Sequence, residues 1–192
     1  NAPLPNVGAP KAGNPLSGKP DTELTQGVGR GGGEESDAAT RTDNAHYETI
    51  LTESQFNVWL EKILAAELVC VDTETTGLEI MTTQIVGISF AITPHEAAYL
   101  PLAHLYPGAP DQLNREATLQ KLKPWLESSQ HNKLGQNLKY DAHIFANHGI
   151  RLAGIAEDTL LQSYVLESHK PHDMDNLALR HLNVKTISYA EV

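Results

Sequence analysis

Ten residues, Val69-Cys70-Val71-Asp72-Thr73-Glu74-Thr75-Thr76-Gly77-Leu78, constrain this chain more than any other stretch. The apolar run Leu68 to Val71 reads as a short buried strand that delivers two carboxylates at its C-terminal end. Side chains alternate faces along a strand, so Asp72 and Glu74 point one way and Thr73 the other. Two like charges at the end of a buried strand are costly unless neutralised, and a divalent cation held by oxygen ligands is the usual solution. The competing reading is a solvated strand end with polar caps. Such an end asks for Gly, Asn or a single Asp rather than this pair, and the tight turn Thr75-Thr76-Gly77 further favours a metal site.

A chain of 192 residues fits one domain of ordinary size with a tail. Its net charge of −10 argues against tight, sequence-independent binding of long duplex. It leaves room for a nucleic-acid enzyme, because metal-binding carboxylates and local basic grooves coexist. The single cysteine, Cys70, lies in the apolar strand and is expected to be a small buried thiol. No disulfide can form within one chain, which fits a reducing cytoplasm. No apolar stretch approaches the length of a membrane span, and the N-terminus lacks the features of a signal peptide. Because it starts at Asn1, the chain is expected to be a fragment or a processed product.

Residues 1–46 hold eight Gly and five Pro, with Gly31-Gly32-Gly33 at the centre, and read as a flexible interdomain linker. From Tyr47 the composition changes. A short strand is expected over 47–51, then a helix from about Glu53 to Ala66 capped by Thr52, with Phe56, Trp59, Leu60 and Ile63 on one stripe. The central strand 68–73 follows, and strands over Gln84–Ile92 and Ala97–Leu102 form an antiparallel hairpin. A helix is predicted over Asn114–Leu126, a strand over Lys133–Gln136, and a helix from Leu138 to His148 ended by Gly149. Asp158 caps another helix, and Asp173 or Asp175 a last one through Leu182. This order predicts an α/β sandwich built on a mixed sheet.

A second acidic candidate, Asp141, falls in the first turn or so of a helix that follows a strand. Ligands of α/β sheets gather at the carboxyl ends of strands, where Asp72 and Glu74 already sit. Gln136 and Asn137 at the same mouth could donate to a phosphate. Asp141 equally reads as an acid that simply favours a helix N-terminus. Nine histidines invite a zinc reading, but none has the spacing that puts two imidazoles on one helix face. Lys170-Pro171-His172-Asp173-Met174-Asp175 reads either as a DNA-facing loop or as a polar loop with a helix cap. Tyr189 is either a core aromatic or a platform on which a base stacks. There is no nucleophile elbow, no P-loop and no dinucleotide fingerprint, and the glycines at 29–33 neither follow a strand nor open a helix. The carboxylates are the coherent chemistry.

D-T-E-T-T-G-L at 72–78, I-V-G-I-S-F after it and G-Q-N-L-K-Y-D at 135–141 together resemble the 3′→5′ proofreading exonuclease domain of bacterial family A DNA polymerases. The resemblance runs over 47–192 and includes A-A-Y-L-P at 97–101, D-T-L-L-Q-S-Y at 158–164 and H-D-M-D-N-L-A at 172–178. It implies a ribonuclease H-like mixed β-sheet flanked by helices, the DEDD exonuclease fold, and expects the domain to be C-terminally truncated. By the resemblance, Asp72, Glu74 and Asp141 are metal ligands and catalytic, holding two divalent ions, Mg²⁺ or Mn²⁺ with Zn²⁺ also admitted. Leu78, Gln136, Asn137, Tyr140, His172 and Tyr189 are implied to meet DNA, Leu78 as a wedge against the terminal bases. The implied reaction is in-line attack of an activated water on the last phosphodiester of a single-stranded or frayed 3′ end, releasing a nucleoside monophosphate. The implied partners are primer-template DNA and the polymerase and 5′-nuclease domains of a parent chain, in a bacterial cytoplasm and nucleoid, with no membrane.

The chain departs from that pattern in two places. A Tyr and a fourth carboxylate of the family are expected beyond Val192, and Lys170-Pro171 stands where a basic residue often precedes the histidine. Two other readings stay open at this point: a related exoribonuclease, or a catalytically silent module that supports a polymerase.

Overall fold

The computed structural model describes residues 45–186. The linker expectation for 1–46, apart from its last two residues, and Tyr189 both lie outside the described residues. Six strands form one mixed sheet in the order β1-β4-β3-β2-β5-β6. They are β1 (His46–Thr49), β2 (Leu68–Thr75), β3 (Ile85–Thr93), β4 (Glu96–Pro101), β5 (Asn132–Gly135) and β6 (Ile155–Asp158). The β2, β3 and β4 strands pair antiparallel, whereas β5 runs parallel to β2, β6 to β5 and β1 to β4.

The period-2 pattern of β2 decides which side is core. Val69, Val71 and Thr73 are buried on one face with Ile88, Phe90, Ala98 and Leu100 of the neighbouring strands. Three helices supply most of the rest of that core: α1 (Glu53–Ala65), α2 (Arg115–Leu126) and α3 (Leu138–Asn147). The first begins at a capping box, in which the Thr52 hydroxyl accepts from the Gln55 amide and the Gln55 side chain returns the bond. Its apolar stripe buries Phe56, Trp59 and Ile63. Lys133 is fully buried at the foot of α2, where its Nζ donates to the carbonyls of Trp125 (2.7 Å) and Ser128 (2.8 Å). It supplies donors to backbone acceptors that a helix C-terminus leaves open. The other sheet face carries Cys70, Asp72, Ser89, Ala91, Ala97 and Tyr99, all only half-buried.

Three local expectations are revised. β6 is an addition: Ile155-Ala156-Glu157-Asp158 has neither alternation nor an apolar run, and it forms as an edge strand that pairs only with β5. Cys70 is half-buried rather than buried, because it faces the thinly covered side of the sheet. The last predicted helix divides into α5 (Met174–Leu177) and a π-helical turn, Ala178–Leu182. Asp173, not Asp175, supplies its N-cap, accepting from the Asn176 amide at 3.0 Å. The helix before it, α4 (Thr159–Glu167), starts at Asp158 as expected. Among the described residues no helix is long and apolar enough to cross a membrane.

Gly135 sets the spacing between β2, β5 and α3. A Cβ there would stand 2.5 Å from Leu138 Cδ2 and 2.9 Å from the Val71 carbonyl oxygen. The leucine can turn away, but the strand backbone cannot. Gly135→Ala is therefore expected to lower the unfolding free energy by about 1–3 kcal/mol, as overpacking does, read as an earlier midpoint in urea unfolding.

Candidate active site at the carboxyl end of the central strand

Asp72 and Glu74 leave β2 on its thinly covered face, as alternation requires, with Asp72 half-buried and Glu74 exposed. They sit opposite Ser89 and Gly87 of β3. On the other edge β5 pairs with β2 only from Leu68 to Cys70. Beyond that point the Thr73 amide needs another acceptor, and Asp141 provides it. Asp141 Oδ1 accepts from the Thr73 amide at 3.0 Å and from the Thr73 hydroxyl at 2.6 Å. Both bonds fall on one oxygen, which leaves Oδ2 to accept from elsewhere.

Asp141 is only 2 % exposed. Burial pushes its carboxyl above the ordinary range, the Thr73 bonds oppose that push, and the charge of Asp158 adds to it. Asp72 is lifted to about 6, first by burial, then by Asp141 and then by Glu74. The three carboxylates predicted from the sequence thus share one electrostatic neighbourhood at the end of β2. Among the described residues no group of three His, Cys, Asp or Glu side chains converges closely enough to enclose a metal ion, and Asp141 is turned toward Thr73. The donor set still fits a hard divalent cation. All three are carboxylates, and their mutual repulsion is the force a cation would relieve.

Of the residues expected to meet DNA, the described ones are held in unequal ways. Leu78 is 90 % exposed, just past the strand. Its loop is tied to α3, because the Tyr140 hydroxyl donates to the Gly77 carbonyl and contacts Thr75 Oγ1, each at 3.0 Å. Asn137 is exposed and left-handed (φ 65°, ψ 45°), a conformation that Asn tolerates better than most residues. Gln136 turns inward. Its amide nitrogen donates to the His172 carbonyl at 2.8 Å and its amide oxygen accepts from the Thr159 hydroxyl. The His172 ring packs on Tyr164 with centroids 3.7 Å apart, and its Nδ1 meets Ser163 Oγ at 2.8 Å. Lys170 is spent on an ion pair with Glu167, which Arg180 also joins at 2.9 Å.

Sequence reasoning missed two residues here. Thr73 was legible only as a spacer between acids, yet it holds the third one. Asp158 was read as the cap of α4 alone, but it also serves α3. Its carboxylate accepts from the amides of Asn137 (3.1 Å), Leu138 (2.9 Å), Leu160 (3.0 Å) and Leu161 (3.3 Å). The signal was present, since the acid that ends β6 lies level with Gly135 at the end of β5, but β6 itself was not foreseen.

A 3′-5′ exonuclease family model matches residues 47–192. DNA polymerase I of Pseudomonas aeruginosa is 46% identical over 164 residues, covering 83% of this chain and 18% of that protein. The chain spans less than a fifth of the length of the curated relatives it matches. Among solved structures, the catalytic core of RRP6 from Trypanosoma brucei aligns with a TM-score of 0.58 at 14% identity, over 77% of this chain and 38% of that one. Brucella melitensis NrnC with bound Mg²⁺ aligns with a TM-score of 0.51 at 16% identity, over 78% and 67%.

The raised Asp72 pKa has a defined sign. The folded state holds its proton up to about pH 6, whereas the unfolded side chain loses it near 3.8. The stability this contributes is present below the lower value and is lost as pH rises through about 6. Asp72→Asn removes the repulsion. In protein stripped of divalent ions at pH 7 it is expected to gain about 1–2 kcal/mol, less than the full shift because partial exposure screens the charge. Thermal melts from pH 4 to 7 should fall for the parent chain and flatten for the variant.

Proposed function

The chain belongs to the 3′-5′ exonuclease family and carries its ribonuclease H-like fold, and from that membership we propose that it is the proofreading segment of a DNA polymerase I. Its substrate in this reading is the 3′ end of single-stranded or frayed DNA, and its product a nucleoside monophosphate. The protein would act in the bacterial cytoplasm, associated with DNA, beside polymerase and 5′-nuclease domains of a longer chain. The observation that carries the reading is the meeting of Asp141 with Thr73 beside Asp72 and Glu74, 68 residues away in sequence.

In this reading Asp72, Glu74 and Asp141 would hold two divalent cations, Mg²⁺ or Mn²⁺. When bound, such cations supply Lewis-acid activation of water and stabilise the charge that develops on the leaving oxygen. The chain's own part is to place its charges. The bonds from Thr73 fix the carboxylate of Asp141, and the β2 backbone fixes Asp72 and Glu74 on one face. Leu78, held out by the loop that Tyr140 pins, is positioned to press an apolar surface against the terminal base. Asn137 and Tyr140 lie along the same rim. Gln136 and His172 act one step back: through their shared bond they hold the loop before α5 against the end of β5. Tyr189 keeps its proposed role as an aromatic contact to single-stranded DNA.

The test is a time course on a 5′-labelled single-stranded DNA with Mg²⁺, run beside Asp72→Ala. The expected result is a one-nucleotide ladder for the parent chain and a rate about 10³-fold lower for the variant, equivalent to about 4 kcal/mol of lost transition-state stabilisation. Shortening of RNA of the same sequence in preference to DNA would reassign the substrate. No ladder with either polymer would overturn activity for the chain.

A further inference from the structure

Asn137 opens α3 without capping it. An asparagine at the start of a helix ordinarily sits in extended backbone and spends its side chain on the amides of the first turn. Here Asn137 is left-handed, at φ 65° and ψ 45°, and its carboxamide makes no bond to the helix. The first turn closes through the Asn137 carbonyl instead, which accepts from the Tyr140 amide at 2.8 Å. A left-handed residue that carries a Cβ costs energy, so something outside the helix must hold it there.

Asp158 does so by direct bonds. The left-handed turn aims two consecutive amides at one anion. Asp158 Oδ1 accepts from the Asn137 amide at 3.1 Å, and Oδ2 from the Leu138 amide at 2.9 Å. The carboxylate reaches them because β6 runs parallel to β5 with Asp158 level with Gly135. Thr159 ties the same end of β6 to β5, its hydroxyl donating to the Gly135 carbonyl at 3.2 Å. The cap of α3 is thus borrowed from another strand. Its consequence is that the Asn137 side chain stays exposed, one turn before Asp141 on the same helix.

We propose that Asp158 is a positioning residue for the DNA end: by capping α3 in place of Asn137, it releases the Asn137 carboxamide to donate to a backbone phosphate. This rests on the proofreading reading above and extends it to a side chain that acts only through Asn137. Without Asp158, Asn137 returns to the extended backbone an N-cap prefers and turns its carboxamide onto its own helix. The helix keeps a cap and the DNA loses a donor.

The test is binding of a 5′-labelled oligothymidylate to the full chain, read by fluorescence anisotropy with Ca²⁺ in place of Mg²⁺ and the DNA checked for integrity on a gel. The proteins are the parent, Asn137→Gly, Asp158→Ser and the double variant. Asn137→Gly removes the carboxamide and suits the left-handed backbone. Asp158→Ser keeps an N-cap for α4 but has a single short acceptor, which cannot also serve Asn137 and Leu138. Each single variant is expected to bind about 10-fold more weakly, the worth of one hydrogen bond to a charged group. Asp158→Ser is expected to have no further effect once residue 137 is glycine. An equal loss from Asp158→Ser in both backgrounds would mean that Asp158 serves the fold alone, and would overturn the inference. So would parent-like affinity of either single variant, which leaves the proofreading reading intact. Absence of DNA binding by the parent would overturn both. Asp158→Asn turns an amide donor toward Leu138 while keeping one oxygen for α4, so the same outcomes apply to it if Asp158→Ser does not fold.

Discussion

One buried carboxylate bonded to the backbone of the central strand organises this end of the molecule. Asp141 takes the Thr73 amide at the point where β5 stops pairing with β2. A hydrogen bond to a charged group is worth about 1.5–3 kcal/mol net, and Asp141 receives two from one residue. Even so, its carboxyl is held above its ordinary pKa, so burial costs more than those bonds return. The side chain is retained in a position that stability alone would not select.

The helix that carries Asp141 is fastened on both sides of its first turn. Asp158 collects two amides from the start of α3 and two from the start of α4, so β6 and two helix N-termini share one anion. The Tyr140 hydroxyl reaches the opposite way, to the loop after β2. Asp141 lies between these fastenings. A carboxylate mounted like this is aimed by secondary structure rather than by a flexible loop, and sites mounted on rigid elements are the more precise ones.

What was legible in the sequence followed from strong periodicity. The strands around the hairpin, the capped helix at Glu53 and the carboxylate pair at 72 and 74 each carry a local signal. Thr73 carries none: its importance comes from a partner 68 positions away. β6 was illegible because a four-residue edge strand of Ile, Ala, Glu and Asp lacks the alternation of a half-buried strand, and it exists only because β5 offers an edge. Gln136 looked outward from its place in a motif, but Thr159 and His172 together satisfy its amide, and burial took the side chain inward. The π-helical turn at 178–182 follows α5 without a break in pattern, and the reading of one continuous helix through Leu182 had nothing in the sequence to stop it.

Cys70 sits two residues before Asp72 on the same half-covered face of the strand, and its thiol is pushed up first by burial, then by Asp72 and by Asp141. Reaction with an alkylating reagent proceeds through the thiolate, so this sulfur is slow for a reason that is partly electrostatic. Neutralising the carboxylates, by substitution or by a cation, removes that part and leaves the steric part in place. The single thiol of the chain is thus a built-in charge meter: the rate at which it is capped reads out whether the acids beside it still carry their charge.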